Sequence, residues 1–222
     1  MAIHNLNLSK TFISLLLLIL AGDAVFIALH ILQKLHFLNH PAFLLTTDGG
    51  YAEVYQYLKE GLIAALFLWA ATQTRSLIFF AWSALFCFLL LDDSLQFHEN
   101  AGEQLAHLFS FTASFNMQPR DLAQPFAIAL FVAPLLLFLT FSYAKANAEQ
   151  RMMSNWMLLL LAGIGFFGVA VDMMHAATTW GFGLFALIEE SGEMAVMSGT
   201  LVFVVHYILI SSEQTFTSRQ LG

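Results

Sequence analysis

Residues 77–103 read LIFFAWSALFCFLLLDDSLQFHENAGE. An apolar run of the length needed to cross a bilayer, about 20 residues, ends abruptly at Asp92-Asp93, with His98, Glu99 and Glu103 close behind. The run points to a membrane helix. Its acidic end points to something more, because placing an ionisable side chain in a membrane helix costs at least ~2.5 kcal/mol on insertion scales. Such residues face the interior of a helix bundle and have partners.

Runs of the same kind recur on both sides, and the sequence predicts an all-α polytopic membrane protein, a bundle of about six transmembrane helices near 11–32, 53–72, 77–97, 123–144, 156–177 and 184–210. No stretch between them is long enough for a separate soluble domain, so 1–222 reads as a single transmembrane domain. Composition agrees: 59% of the residues are hydrophobic and 10% charged, against about 25% charged in ordinary soluble domains. The net charge of −7 and the singly scattered Lys and Arg residues argue against a nucleic-acid partner, which leaves a basic stripe. The lone Cys87 excludes an internal disulfide framework and any four-cysteine metal knuckle. The first run continues past Asp23 to Leu32 without a small-residue cleavage site, so it reads as a retained helix rather than a signal peptide.

His40-Pro41 with Asp48-Gly49-Gly50, Thr72 to Arg75, Pro119 with Pro125, Lys145 to Asn155, and Thr178 to Gly183 punctuate the runs. The last connection is short enough to make the final two helices an antiparallel hairpin, and residues 100–112 extend the third helix or lie along the interface. Lys10, Arg75, Lys145, Arg151 and Arg219 fall on one side of a six-helix topology, and Lys34 and Arg120 on the other. The bias places both termini in the cytoplasm, and a bacterial inner membrane is the expected location.

That topology also gathers the polar exceptions. Asp92, Asp93, Ser94, His98 and Glu99 end the third helix, Asp172 and His175 the fifth. Glu189, Glu190 and Glu193 open the sixth, and Glu53, Lys59 and Glu60 lie in the first part of the second. All fall at one depth, in the outer third of the bilayer. At about 100° per residue, Asp92 and Glu99 lie within about 20° of one face; Asp172 and His175, like Glu190 and Glu193, are i, i+3 neighbours able to reach one centre. So many carboxylates at one place require protonation or a bound cation. Carboxylates with one or two imidazoles suit a divalent metal such as Zn, Mn or Fe, and a carboxylate-x-x-His pair contributed by one helix is a pattern of four-helix carboxylate metal sites. The candidate ligands are Asp92, Asp93, His98, Asp172, His175, Glu189 and Glu190. Glu99 and Glu193 are candidate catalytic bases, and Asp23, deeper in the first helix, forms with Glu60 a candidate proton relay.

Each cluster also has an ordinary structural reading. Asp92 to Glu99 can be a helix end emerging into water, Asp172 and His175 a local hydrogen bond, and the three glutamates N-terminal acids favoured by the helix dipole. Lys59 and Glu60 can pair with each other or snorkel. His30, His36, His40 and His206 read as interfacial or packed histidines, and Met173, Met174, Met194 and Met197 as packing residues.

At Gln56-Tyr57-Leu58-Lys59-Glu60, at Asp92-Asp93-Ser94 with His98-Glu99, and at Glu190-Ser191-Gly192-Glu193-Met194, the chain resembles an uncharacterised family of bacterial multi-pass membrane proteins. The resemblance implies one shared site and no particular activity. A slighter likeness, through the S-x-x-x-H spacing of Ser94 and His98, is to the alkaline ceramidase and adiponectin-receptor-like membrane hydrolases. That likeness implies a zinc enzyme, but the final helix here has His206 and glutamates where those proteins carry a histidine pair. The H-x-x-H-H clusters of membrane di-iron enzymes are absent, as is the last-helix lysine of retinal proteins. Three functions fit: an outward-facing metal site, with or without catalysis on a lipid-like substrate; a proton- or cation-coupled carrier; and a non-catalytic subunit or scaffold that binds lipid or a membrane partner protein.

Overall fold

The computed structural model describes residues 10–178 and 180–220, without the side chains of Thr11, Phe182 and 209–220. Among the described residues its main elements are all α-helices: α1 (Lys10–Lys34), α2 (Tyr51–Thr74), α3 (Leu77–Leu95), α4 (Phe97–Leu108), α5 (Pro119–Lys145), α6 (Ala148–Gly165), α7 (Asp172–Ala177) and α8 (Phe182–Gln220). A π-helical turn, Phe166–Val171, joins α6 to α7. Five helices are long and apolar enough to cross a membrane: Phe12–Lys34, Leu77–Leu95, Pro119–Lys145, the continuous run Ala148–Ala177, and Gly183–Ile208. The remaining stretch read as a span, 53–72, lies within α2, which has 24 residues but carries Glu53, Lys59 and Glu60.

Side-chain pairs fix the direction of each helix. Ser83 donates to the Ala64 carbonyl and Tyr57 to that of Asp93, so α2 and α3 run antiparallel. Phe80 meets Phe138 edge to face and Phe88 packs at a tilt on Phe131, which makes α3 and α5 antiparallel. The partners Gly163–Val196, Gly168–Glu193 and His175–Glu189 give the same sense to α6–α7 against α8. Asp23–Ser198 and Phe12–His206 set α1 antiparallel to α8, and the ends of α1, α3 and α7 and the starts of α2, α5 and α8 meet at one end of the bundle.

The core lies between α2, α3, α6 and α8. Phe67, Trp82 and Phe86 pack together with ring centroids 6.3–6.4 Å apart, and the buried indole of Trp82 donates to Ser154 Oγ at 2.9 Å. Large apolar side chains such as Leu18, Leu68, Leu137 and Leu159 stay exposed, as expected of a protein whose solvent is lipid. Residues 97–108 do not continue α3. Gln96 adopts the left-handed conformation, φ 52°, which ends α3 and starts α4 in a new direction. α4 then packs on α5, where Gly102 lies against the backbone of Gln124 and a β-carbon would not fit.

One ion pair ties three helices together. Lys59 (2% exposed) of α2 donates to Asp23 Oδ1 of α1 at 3.1 Å, to the Met194 carbonyl at 3.0 Å and to Ser198 Oγ at 3.2 Å, both on α8. Ser198 Oγ closes the ring on Asp23 Oδ2 at 2.5 Å. All three ammonium hydrogens are satisfied, and the Tyr55 ring lies 4.8 Å from the ammonium. Lys59 thus neither snorkels nor pairs with Glu60. Removing one partner from a buried pair leaves an uncompensated charge, whereas replacing both by apolar groups is often neutral. Lys59→Met or Asp23→Leu alone should therefore cost about 3–5 kcal/mol, and the double variant should recover most of it, as read by thermal unfolding in detergent.

Candidate functional site

At the end of the bundle where α1, α3 and α7 finish lies a cavity of about 600 Å³, within the range of small-molecule pockets. Its mouth is acidic and its deeper wall apolar. Asp48 precedes α2; Glu53 and Gln56 come from α2, Asp92 and Asp93 from α3, His98 and Glu99 from α4, Asp172 from α7, and Glu189, Glu190 and Glu193 from α8. Leu85 and Leu89 of α3, Val132 and Leu136 of α5, and Leu158 and Leu161 of α6 form the deeper wall. Of the acids predicted to converge, all but Glu60 line this one space.

They do different things there. Asp92 is 5% exposed and spends both oxygens on α4: Oδ1 accepts the His98 backbone N–H at 2.8 Å and Oδ2 meets His98 Nδ1 at 3.1 Å. The pair clasps the Gln96 elbow, satisfying one of the amides that a helix start leaves without a partner. Burial pushes the His98 imidazole down, but the hydrogen bond and charge of Asp92, with Asp93 and Glu99 behind it, outweigh this and hold His98 above its ordinary 6.5.

Asp172, His175 and Glu189 form a separate group. One ligand atom from each lies within 4.8 Å of the other two, and all three residues are half-buried. His175 Nδ1 is 3.2 Å from Glu189 Oε2. Asp172 and Glu189 face the large cavity, while Asp172 and His175 also border a smaller one of about 180 Å³ with Asp121 and Gln124 of α5. The sequence reading missed these two α5 residues. Asp121 caps its own helix by accepting the Gln118 N–H at 2.9 Å, a local role that hides its position beside His175.

The π turn sets the depth of Glu193. Gly168 lies directly beneath the Glu193 carboxylate and Gly192 against the Phe167 ring, each so close that a β-carbon would collide. A single π turn of this kind re-aims the residues around it, and such turns are frequent at functional sites.

The remaining candidates are distributed otherwise. Glu190 and Glu99 line the cavity outside the three-residue group. Asp93 meets Glu60 carboxyl to carboxyl; Glu60 is 1% exposed, and its Oε2 has no partner among the described residues. Asp23 belongs to the Lys59 ring. Ser94 is exposed and is not part of the cavity wall. His30 Nδ1 accepts the Leu45 N–H at 2.9 Å, His40 caps the turn Pro41–Phe43, and the His206 ring lies 4.9 Å from that of Phe12. Met194 and Met197 are buried packing residues.

A family model described as Domain of unknown function (DUF8692) matches residues 18–209. The chain belongs to this family. The match covers every residue of the cavity wall and of the Asp172–His175–Glu189 group. No curated protein and no solved structure matches the chain.

Two outcomes follow from this geometry. Because the His98 pKa is raised in the folded state, the His98–Asp92 pair contributes its full stability below the ordinary histidine range and loses it as pH rises through the raised value. Ring-proton NMR should place the His98 midpoint above 6.5, and Asp92→Asn should move it down. Gly192→Ala, whose β-carbon would meet the Phe167 ring, should destabilise the fold by about 1–3 kcal/mol through overpacking, and by much less in a Phe167→Ala background, in thermal unfolding of the four proteins.

Proposed function

We propose that this is a metal-dependent membrane hydrolase acting on a lipid-like substrate, with Asp172, His175 and Glu189 as the metal ligands. The observation that carries the reading is the placement of this oxygen–nitrogen–oxygen group at the rim of a cavity whose mouth is acidic and whose deep wall is leucine-rich. The donor set suits Zn, Mn or Fe, and three protein ligands leave a coordination position open, as catalytic sites do. A divalent ion held there would supply Lewis acidity toward a carbonyl or phosphoryl oxygen.

The chain's own residues do the rest. Glu193, held at a fixed depth over Gly168, accepts the proton of the attacking water, with Glu99 as the other candidate base on the cavity wall. The apolar wall orients the substrate by burying its chain, which fixes the scissile group near the mouth. In this reading α2 crosses the membrane with the five apolar helices, because it runs antiparallel to α3 and turns Lys59 and Glu60 inward. The six-span protein has both termini in the cytoplasm, in keeping with its Lys and Arg distribution, and resides in a bacterial inner membrane. The slighter likeness to the alkaline ceramidase group is reduced to chemistry alone, since Ser94 is exposed outside the cavity wall and His98 is spent on Asp92.

A proton-coupled carrier is the second reading. It is favoured by Glu60, whose buried Oε2 has no partner among the described residues and which meets Asp93 at the cavity side and neighbours Lys59 and Glu193.

Metal analysis by mass spectrometry on protein purified without chelators decides between them. Stoichiometric metal in the wild type, lost from His175→Ala and Glu189→Gln, is expected. Glu193→Gln should keep the metal but lower hydrolysis of a long-chain fluorogenic ester by about 100-fold or more, the scale of a lost general base. Metal-free wild-type protein would reject the hydrolase and move attention to proton flux in liposomes.

A further inference from the structure

The hydrolase reading gives the cavity an acidic mouth but does not say how a substrate chain reaches the apolar part below it. Two stripes of the wall bear on that. Ile128, Val132 and Leu136 line the cavity at successive turns of α5, and Leu158, Ala162 and Gly165 do so on α6. Both stripes also reach the outside. Leu136 is 38% and Leu158 40% exposed, and Ala162 and Gly165 are exposed as well. Residues that border a cavity and the exterior at once form the rim of an opening. Here the exterior is hydrocarbon, because α5 and α6 are both long apolar spans.

The opening exists because the two helices pack elsewhere. α5 packs on α3 and α4, and α6 mainly on α8. Among the described residues, the hydrogen bonds between α5 and α6 sit at their connecting turn. Tyr143 donates to Asn155 Oδ1 at 3.0 Å, and Arg151 to the Tyr143 and Ala144 carbonyls at 3.2 and 2.8 Å. At the far end Asn116, just ahead of α5, donates to the Ala177 carbonyl of α7 at 3.2 Å. The pair is pinned at both ends and parted between them.

Gly165 shows that the chain leaves the gap unfilled. Its backbone is helical, φ −64° and ψ −25°, and a β-carbon there would meet no atom within 4 Å. Glycine costs a helix about 1 kcal/mol relative to alanine, and neither conformation nor a close neighbour demands it here. At about 1.5 Å per residue, Leu158 lies roughly 20 Å from Asp172 along the axis, somewhat more than the ~15 Å depth of one hydrocarbon leaflet. A chain reaching this slot through water and past the acids would lose about 0.8 kcal/mol per CH₂ on the way. From the side it exchanges one hydrocarbon environment for another.

We propose that the cavity opens sideways into the bilayer between α5 and α6, and that an acyl chain of a membrane-resident lipid enters there while its head group stays at the acidic mouth. The proposal rests on the cavity being the substrate site of the hydrolase reading, but it does not require the metal.

The test uses the full-length protein in phosphatidylcholine nanodiscs doped with a phosphatidylcholine that carries a diazirine midway along one chain. Illumination and mass spectrometry then map the labelled residues. Leu137 and Leu159, exposed and outside the cavity wall, report ordinary lipid contact. Val132 and Leu161, half-buried in the wall, should be labelled as well. Gly165→Trp should cut labelling of Val132 and Leu161 about tenfold or more, because a filled slot leaves no room for a chain. Labelling of Leu137 and Leu159 should not change. Ala162→Trp, on the same rim, should give the same block by a second route.

Labelling confined to Leu137 and Leu159 overturns the proposal. So does wall labelling that survives both substitutions in proteins that melt like the wild type. A wall labelled by a water-borne diazirinyl butanol but not by the lipid also overturns it, and makes the acidic mouth the entrance. The His175→Ala protein separates this inference from the one beneath it. Wall labelling retained there, with metal absent from the wild type, sinks the hydrolase and keeps the slot. Stoichiometric metal with an unlabelled wall does the reverse.

Discussion

A lysine ammonium buried at 2% exposure is the constraint on which the rest of the bundle depends. Lys59 cannot be left in a lipid-solvated interior without a counter-charge and three acceptors. It finds Asp23 on α1 and two oxygens on α8, so the positions of three helices are fixed by one side chain. Dispersion between apolar helices in lipid is weakly directional, because lipid tails are as apolar as leucine. The polar ring supplies the register that packing alone would leave free. α1 depends on it most, since few of its residues are buried.

The placement of α2 has a second consequence. Gln56, three residues before Lys59, and Glu60, the next residue after it, are both buried in the bundle, and Glu60 meets Asp93 at the acidic end of α3. The helix that anchors the core therefore also supplies part of the cavity wall. Stability and site are coupled through a few turns of one helix, and the charged residues that keep α2 from resembling its apolar neighbours are the ones on which both rest.

The acids of the cavity divide into those that build and those that remain available. Asp92 closes the elbow between α3 and α4 through two bonds to His98. Asp121 closes the start of α5. Asp172, His175 and Glu189 are brought together by the hairpin of α7 and α8, and Glu193 is set by the π turn that brings Gly168 beneath it. Residues that looked equivalent as intramembrane acids are thus sorted by whether a nearby backbone amide claims them.

The sequence by itself determined the helical membrane class and the pooling of its acids, because both depend on local quantities. Apolar run length sets whether a helix can span, and the alternation of helix direction sets which ends meet. Asp172, His175 and Glu189 were legible for the same reason, sitting at matching heights on either side of a short turn. What the sequence could not decide was pairing between side chains far apart in the chain. Lys59 beside Glu60 looked like a local pair, yet its partner is Asp23. Asp92 and His98 looked like ligands, yet the left-handed Gln96 folds one onto the other. Asp121 looked like a loop residue, yet the packing of α4 on α5 brings it beside His175. Each outcome turns on the relative rotation and depth of helices. Those are set by close contacts such as Gly102 on Gln124 and Gly168 under Glu193, and such contacts exist only once the bundle has assembled.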